Sequence, residues 1–357
     1  MGQLSVFGSV LLYLIAFGVP AYLSAKLRCR TWIKLLVLMV LPLLLAAFRY
    51  NVGYDYGSYV GAFQYYGSVK YSSIIQSYKI GDPVGYYLFA KWAASFGSER
   101  WFFFWLAFVS LLPPMMYFLI DWADSPELPL ILFMYLFGPF IFAFSAIKQG
   151  VAIGIIIFSL RYVTQRKFFN FFLCMIIACS FHVTAIVFIP MFFLLNHNME
   201  LSTWKRTAII IAVVLVMINL ETVLSGVFGG RFEEYALETV YGRNRSFWLY
   251  SLLAAVFFLF RKVLKEKDLR NDLLVLLMII GAMCQVLGFS NAFAKRVGEY
   301  FAFSQVILLP QMLFIFNERS QKAAKFLLCI YVVGLFLISN TTATSGMGFV
   351  PYGYKFY

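Results

Sequence analysis

Apolar runs recur from one end of the chain to the other, each followed by a short polar gap, and this pattern leaves little choice of architecture. The runs fall at roughly 3–25, 32–48, 101–120, 128–144, 150–163, 168–181, 183–195, 207–224, 247–260, 273–289, 299–316 and 326–339. In lipid, every backbone N–H and C=O must find a partner within the protein, so a spanning chain is either helical or a closed barrel. The period-two alternation of a barrel is missing. Composition agrees: 62% of residues are hydrophobic and 13% charged, against about 45–50% and 25% in soluble domains. The sequence therefore predicts an all-α polytopic membrane protein with about 12 transmembrane helices, between roughly 11 and 14, in one integral domain over 1–357.

The net charge of +13 is an orientation signal rather than a nucleic-acid footprint, because the basic residues sit in short gaps between apolar runs. Segments 26–34, 121–127, 161–167, 196–206, 261–272 and 317–325 hold 17 Lys and Arg in 55 residues. The alternate segments 49–83, 145–149, 225–246, 290–298 and 340–357 hold 10 in 89. The first set is assigned to the cytoplasm and the second to the outside, with both termini outside. Two features keep the alternation consistent. The run 168–195 is split at Phe181–His182 into two short helices, and residues 83–97 form a re-entrant or interfacial helix instead of a span. The first charge, Lys26, follows the first apolar run, so that run reads as an uncleaved span. Segments 49–83 and 225–246 are the main outer-face loops.

This topology gathers the unusual polar residues on one face. Arg49, Asp55, Tyr59 and Asp82 come from the first outer segment, and Lys148 and Gln149 from the next. His182 and Thr184 lie at the split tip. Arg231 and Arg243 follow in the later loop, then Arg296, Glu299 and Tyr300. Guanidinium and ammonium groups at a membrane face suit a diphosphate, whose growing charge they stabilise on departure. A carboxylate or imidazole could take a proton from an attacking hydroxyl. Plainer roles exist for each: Arg49 snorkelling at a helix end, Asp82 capping a helix before Pro83, His182 hydrogen-bonded in packing, Arg231 and Arg243 in a solvated loop. The five cysteines form no CxxC pair, and two histidines with scattered acids offer no metal-ligand spacing, so no metal or cofactor is expected.

In order, these residues resemble the EpsG/Wzy-type polysaccharide polymerases. Arg49, Gly53, Asp55 and Tyr59 look like the family's opening element, and Asp82, Pro83, Gly85 and Tyr86 like its acidic-Pro-x-Gly-Tyr element. Ser145 to Gln149, with Arg161, Lys167 and Phe181-His182-x-Thr184-Ala185, is similar to its most recognisable block. Arg296 with Tyr300, and Pro351-Tyr352, resemble its last two elements. Lys148 stands where Arg is commoner, Asp82 where Glu is, and Thr184 where Ser is.

The resemblance implies a GT-C-like glycosyltransferase of the bacterial inner membrane with its active site facing the periplasm or outside. It would move a growing glycan from undecaprenyl diphosphate to the non-reducing end of a new lipid-linked repeat unit. Donor and acceptor oligosaccharides on undecaprenyl diphosphate, the bilayer and a chain-length regulator protein are the implied partners. Under this reading a subset of Arg49, Lys148 and Arg296 holds the diphosphate. Asp55 or His182 is the base. Tyr59, Asp82, Gln149, Thr184, Tyr300, Arg231 and Arg243 support the substrate. The transfer would be metal-independent and inverting. An O-antigen ligase or other lipid-linked transferase would share the basic face but usually carries a larger outer loop. A flippase or transporter of lipid-linked glycans would place charges along a midplane path in repeated halves, and neither is visible here.

Overall fold

The computed structural model describes residues 1–79, 81–195, 245–289, 292–341 and 348–356, with isolated positions between 204 and 215. Two compact units are present. The first comprises Met1–Arg161, Ile176–Val183 and Leu313–Tyr357, the second Tyr162–Met175 and Thr184–Met312.

In chain order the helices are α1 (Val6–Lys26), α2 (Thr31–Phe48), α3 (Tyr56–Ser68), α4 (Tyr71–Gln76), α5 (Val84–Ala94), α6 (Glu99–Asp121), α7 (Leu128–Ser145) and α8 (Ile147–Thr164). Then come α9 (Phe168–Phe181), a 3-10 segment (Val183–Phe188), α10 (Pro190–Leu195), α11 (Arg245–Leu259), α12 (Arg261–Lys267), α13 (Arg270–Leu287), α14 (Ala292–Ala302), α15 (Gln305–Gln311) and α16 (Glu318–Asn340). Among the described residues, 7 helices are long and apolar enough to cross a membrane: α1, α2, α6, α7, α8, α13 and α16. The number rises to 9 if two bent pairs each count as one span, α11 with α12 at 69° and α14 with α15 at 41°.

The chain is thus an all-α polytopic membrane protein. The helix-rich outcome follows from the solvent, since a helix satisfies its own backbone in lipid. The described spans are fewer than the about 12 expected. Part of the difference lies at 168–195, where the helix ends at Phe181 and a 3-10 segment begins at Val183, as the split required. Each piece is shorter than the about 20 residues that cross a bilayer upright. The run 207–224 and the loop 225–246 lie largely outside the described residues. Helix α5 has 11 residues, roughly 16 Å at 1.5 Å each, against a hydrocarbon core of about 30 Å. Segment 49–83, expected as a loop, carries two helices, α3 and α4.

Within the first unit, α1 and α7 each widen into a π turn, at Leu14–Gly18 and Leu136–Phe140. Pro139 has no N–H to donate, and the wider turn accommodates that gap. Phe17 fills the space, with ring centroids 5.1 Å from Phe137 and 5.9 Å from Phe140.

One end of this unit is closed by the chain's own extremities. Strand β1 (Gly2–Gln3) pairs antiparallel with β2 (Gly353–Tyr354). The tail then continues over the end of α2: Tyr50 N donates to Gly353 O at 2.8 Å and Lys355 N to Phe48 O at 3.1 Å. The Lys355 ammonium lies 3.9 Å from Glu99 at the start of α6. At the opposite end, Arg161 in the last turn of α8 pairs with Asp121 at the end of α6, 3.7 Å apart.

Candidate active site

The central feature of the first unit is the reversal from α7 to α8. Helix α7 ends at Ser145, Ala146 breaks the helical path at φ −112, ψ 60, and α8 starts at Ile147 with Lys148 and Gln149 in its first turn. A helix end leaves carbonyls unpaired at its C-terminus and N–H groups unpaired at its N-terminus. Here both sets meet within four residues, and the segment 49–59 satisfies them.

Arg49 takes the first set. Its Nη1 donates to Phe144 O at 2.9 Å, a cation placed at the negative end of α7. The guanidinium is enclosed by rings, 4.4 Å from the centroid of Phe103, 4.7 Å from Phe144 and 5.9 Å from Tyr56. Arg49 is only 3% exposed, and its Nε is buried without a hydrogen-bond partner. Burial pulls its pKa down to about 10, against the opposing influence of Tyr59 and Tyr352, and it stays charged at neutral pH.

Gly53 brings the chain close: at φ +97 it occupies the left-handed region, and a Cβ there would lie 3.3 Å from both Phe144 O and Ser145 Oγ. Tyr54 N then donates to Ser145 Oγ at 3.1 Å. Tyr59 takes the second set. Its phenol oxygen accepts from Ile147 N at 2.9 Å and also from the Lys148 N–H. Burial first, and then the Asp55 carboxylate, push the Tyr59 hydroxyl well above its usual pKa. It therefore keeps its proton and serves α8 as a neutral cap. Asp55 occupies the position before α3 and faces solvent.

Tyr59→Phe leaves those two N–H groups without their acceptor. An expected loss of about 1–3 kcal/mol follows, measurable as a lower Tm of the detergent-solubilised protein.

The element at 82–86 packs on the same reversal. Asp82 Oδ2 accepts from Lys79 N at 3.0 Å, so it closes the turn before Pro83, and α5 starts without a side-chain cap. The Tyr86 ring lies 5.4 Å from Lys148 Nζ and 6.5 Å from the Tyr59 ring. Gly85 abuts the end of α9, where a Cβ would come within 2.2 Å of Ser180 Oγ. His182 follows two residues later and is part-buried, its N–H donating to Ala178 O at 2.9 Å. Gln149 is buried at 4% exposure. The tail supplies one more support, Tyr352 Oη donating to Leu45 O at 2.6 Å in the last turn of α2. Arg49, Asp55, Tyr59, Asp82, Lys148, Gln149 and His182 thus belong to one compact unit, from segments far apart in sequence.

The second unit carries the remaining described residues. Thr184 Oγ1 and Tyr300 Oη share a buried hydrogen bond of 2.9 Å, tying the 3-10 segment to α14. Arg296, one turn before Tyr300, is exposed. Helix α14 is locked on α13 at Gly298, where a Cβ would lie 3.0 Å from Gln285 Nε2 and 3.1 Å from Cys284 Cβ. Tyr250 donates to both carboxylate oxygens of Glu299, at 3.1 and 3.3 Å. Tyr250 was not among the candidate residues, because a tyrosine inside an apolar run is indistinguishable from the aromatic belt of a span. Arg231 and Arg243 lie outside the described residues. No group of three His, Cys, Asp or Glu able to hold a metal occurs among the described residues.

The model of the EpsG family matches residues 32–354. The chain belongs to the EpsG family. Members are polysaccharide polymerases of the Wzy/EpsG type. The matched region takes in every element at the α7–α8 reversal together with α14. No curated protein and no solved structure matches the chain. In this EpsG-family chain Arg49, Gly53 and Tyr59 build the reversal, Asp55 is exposed, and Lys148 and His182 are part-buried.

Proposed function

We propose that the chain polymerises lipid-linked oligosaccharide repeat units, transferring the growing glycan from undecaprenyl diphosphate to the non-reducing end of a new unit. The observation that carries the reading is the clamped reversal, which holds Lys148 at a helix start beside Tyr86 with Asp55 and His182 in the same unit. A lysine at a helix N-terminus is a natural anion ligand, since backbone dipole and ammonium add. Lys148 is the diphosphate ligand of the first unit and Arg296 a candidate phosphate ligand of the second, and Arg49 acts behind Lys148 by fixing the reversal. Asp55 or His182 accepts the proton of the attacking hydroxyl. A single displacement through an oxocarbenium-like transition state inverts the anomeric centre.

The same reading places the protein in the bacterial inner membrane, in a GT-C-like arrangement with this end toward the periplasm. Gln149 in the first unit and, separately, Thr184 and Tyr300 in the second support the substrate, as Arg231 and Arg243 are expected to, and a chain-length regulator is a further partner. Twelve crossings remain the number that the apolar runs and the alternation of basic gaps favour.

Single substitutions test the chemistry in cells that make the repeat unit. Lys148→Ala, Asp55→Asn and His182→Ala should each leave single-repeat glycan in place of the polymer ladder while the protein remains in the membrane. A proton acceptor contributes about 10²–10⁴-fold in rate, enough to erase the ladder. Full ladders from both Asp55→Asn and His182→Ala would remove the base from this scheme. Untransferred lipid-linked units accumulating on the cytoplasmic side of a deletion strain would favour a flippase instead.

A further inference from the structure

The Glu299–Tyr250 pair has no assigned role in the transfer. A carboxylate offers about four lone-pair positions to donors. Glu299 is part-buried; among the described residues its hydrogen bonds come from the neutral Tyr250 hydroxyl, and the Lys295 ammonium, one turn earlier on α14, attracts it without forming an ion pair within 4.0 Å. A carboxylate kept only for packing is usually neutralised by a cation or saturated with N–H donors. This one is fixed in place and left with spare acceptor capacity. Its mounting is rigid. Tyr250 holds it from α11, Gly298 presses α14 onto α13, and Tyr300, the next residue, is anchored to Thr184. Arg296 lies three residues earlier, so Arg296 and Glu299 share one face of α14.

We infer that Glu299, steadied by Tyr250, is a specificity-determining ligand for sugar hydroxyls, accepting hydrogen bonds from a vicinal diol of the glycan attached to the diphosphate. A diol presents two O–H donors at the spacing of the two oxygens of a carboxylate. Arg296 on the same face supplies the donors that the phosphates require. The inference deepens the proposed function and rests on it.

The experiment uses the full-length protein in detergent with two probes: undecaprenyl-diphosphate-linked repeat unit extracted from the host, and bare undecaprenyl diphosphate. Glu299→Gln should weaken binding of the sugar-bearing lipid about tenfold or more and leave the bare lipid unchanged. Tyr250→Phe should give a smaller loss with the same selectivity. In turnover, KM for the lipid-linked unit should rise while kcat stays within about threefold. Equal loss for both lipids, or no loss for either, overturns the assignment. So does a collapse of kcat with a flattened pH profile, which would make Glu299 the base. If the parent protein binds the sugar-bearing lipid but never elongates it, the polymerase reading fails while the ligand role of Glu299 is still decided by the two probes.

Discussion

Arg49→Ala is expected to unfold the site rather than merely to disarm it. The substitution removes a 3%-exposed side chain from among Phe103, Phe144 and Tyr56, and leaves Phe144 O without its donor. Emptying such a position and losing a charge-assisted hydrogen bond together cost on the order of 3–5 kcal/mol. The level of the protein in membranes and its Tm in detergent should both fall sharply. Arg49→Lys should recover little, since an ammonium cannot spread over the three rings as a planar guanidinium does. Lys148→Ala is the contrasting case. Lys148 is part-buried and not enclosed, and its contact with Tyr86, at 5.4 Å, is worth about 0.5–1 kcal/mol, so Tm should fall far less than for Arg49→Ala while the polymer ladder disappears. An Arg49→Ala protein that melts with the parent and loses only polymerisation would return Arg49 to the phosphate-binding set.

That contrast also marks where sequence reading stops. The apolar runs and the basic gaps suffice to give an all-α polytopic chain, because lipid allows few alternatives. The break at His182 was legible too: a polar residue in the middle of a 28-residue apolar stretch, 168–195, and a charge alternation that failed without a reversal there. Lys148 could be placed at a helix start from the same reasoning. What the sequence could not separate was a cation that binds from a cation that builds. Arg49 and Lys148 are both basic residues at the ends of apolar runs, and only the rings around one of them tell them apart. The two closest of those rings, Phe103 and Phe144, come from α6 and α7, far away in the chain. Tyr59 was hidden in the same way, since its cap on α8 spans 88 positions in sequence. The helices α3 and α4 were missed because their glycines and tyrosines weaken the apolar periodicity on which a helix assignment depends.

The second large effect is expected at Gly85. Gly85 lets α5 lie directly against the end of α9, two residues before His182. At Gly85 an added Cβ would stand 2.2 Å from Ser180 Oγ, 2.9 Å from its Cβ and 3.0 Å from its carbonyl oxygen. Ser180 has little freedom to yield, since its hydroxyl is bonded to Ile177 O at 2.7 Å. Overpacking of this kind costs about 1–3 kcal/mol, which a polytopic protein can survive. The displacement, however, falls on the two residues before His182, and a shift of about 1 Å in a reacting group can lower a rate about 10²-fold. Gly85→Ala should therefore reach the membrane near the parent level and yield little or no polymer. Removing the obstructing side chain should reverse the defect: Gly85→Ala with Ser180→Gly should regain much of the ladder, whereas Ser180→Gly alone should keep it. Because the two positions touch, their effects should be strongly non-additive. Additive losses in the double variant would mean that Gly85 serves the glycan directly, for example as a smooth surface under the sugar, and not as the contact that sets α5 against α9.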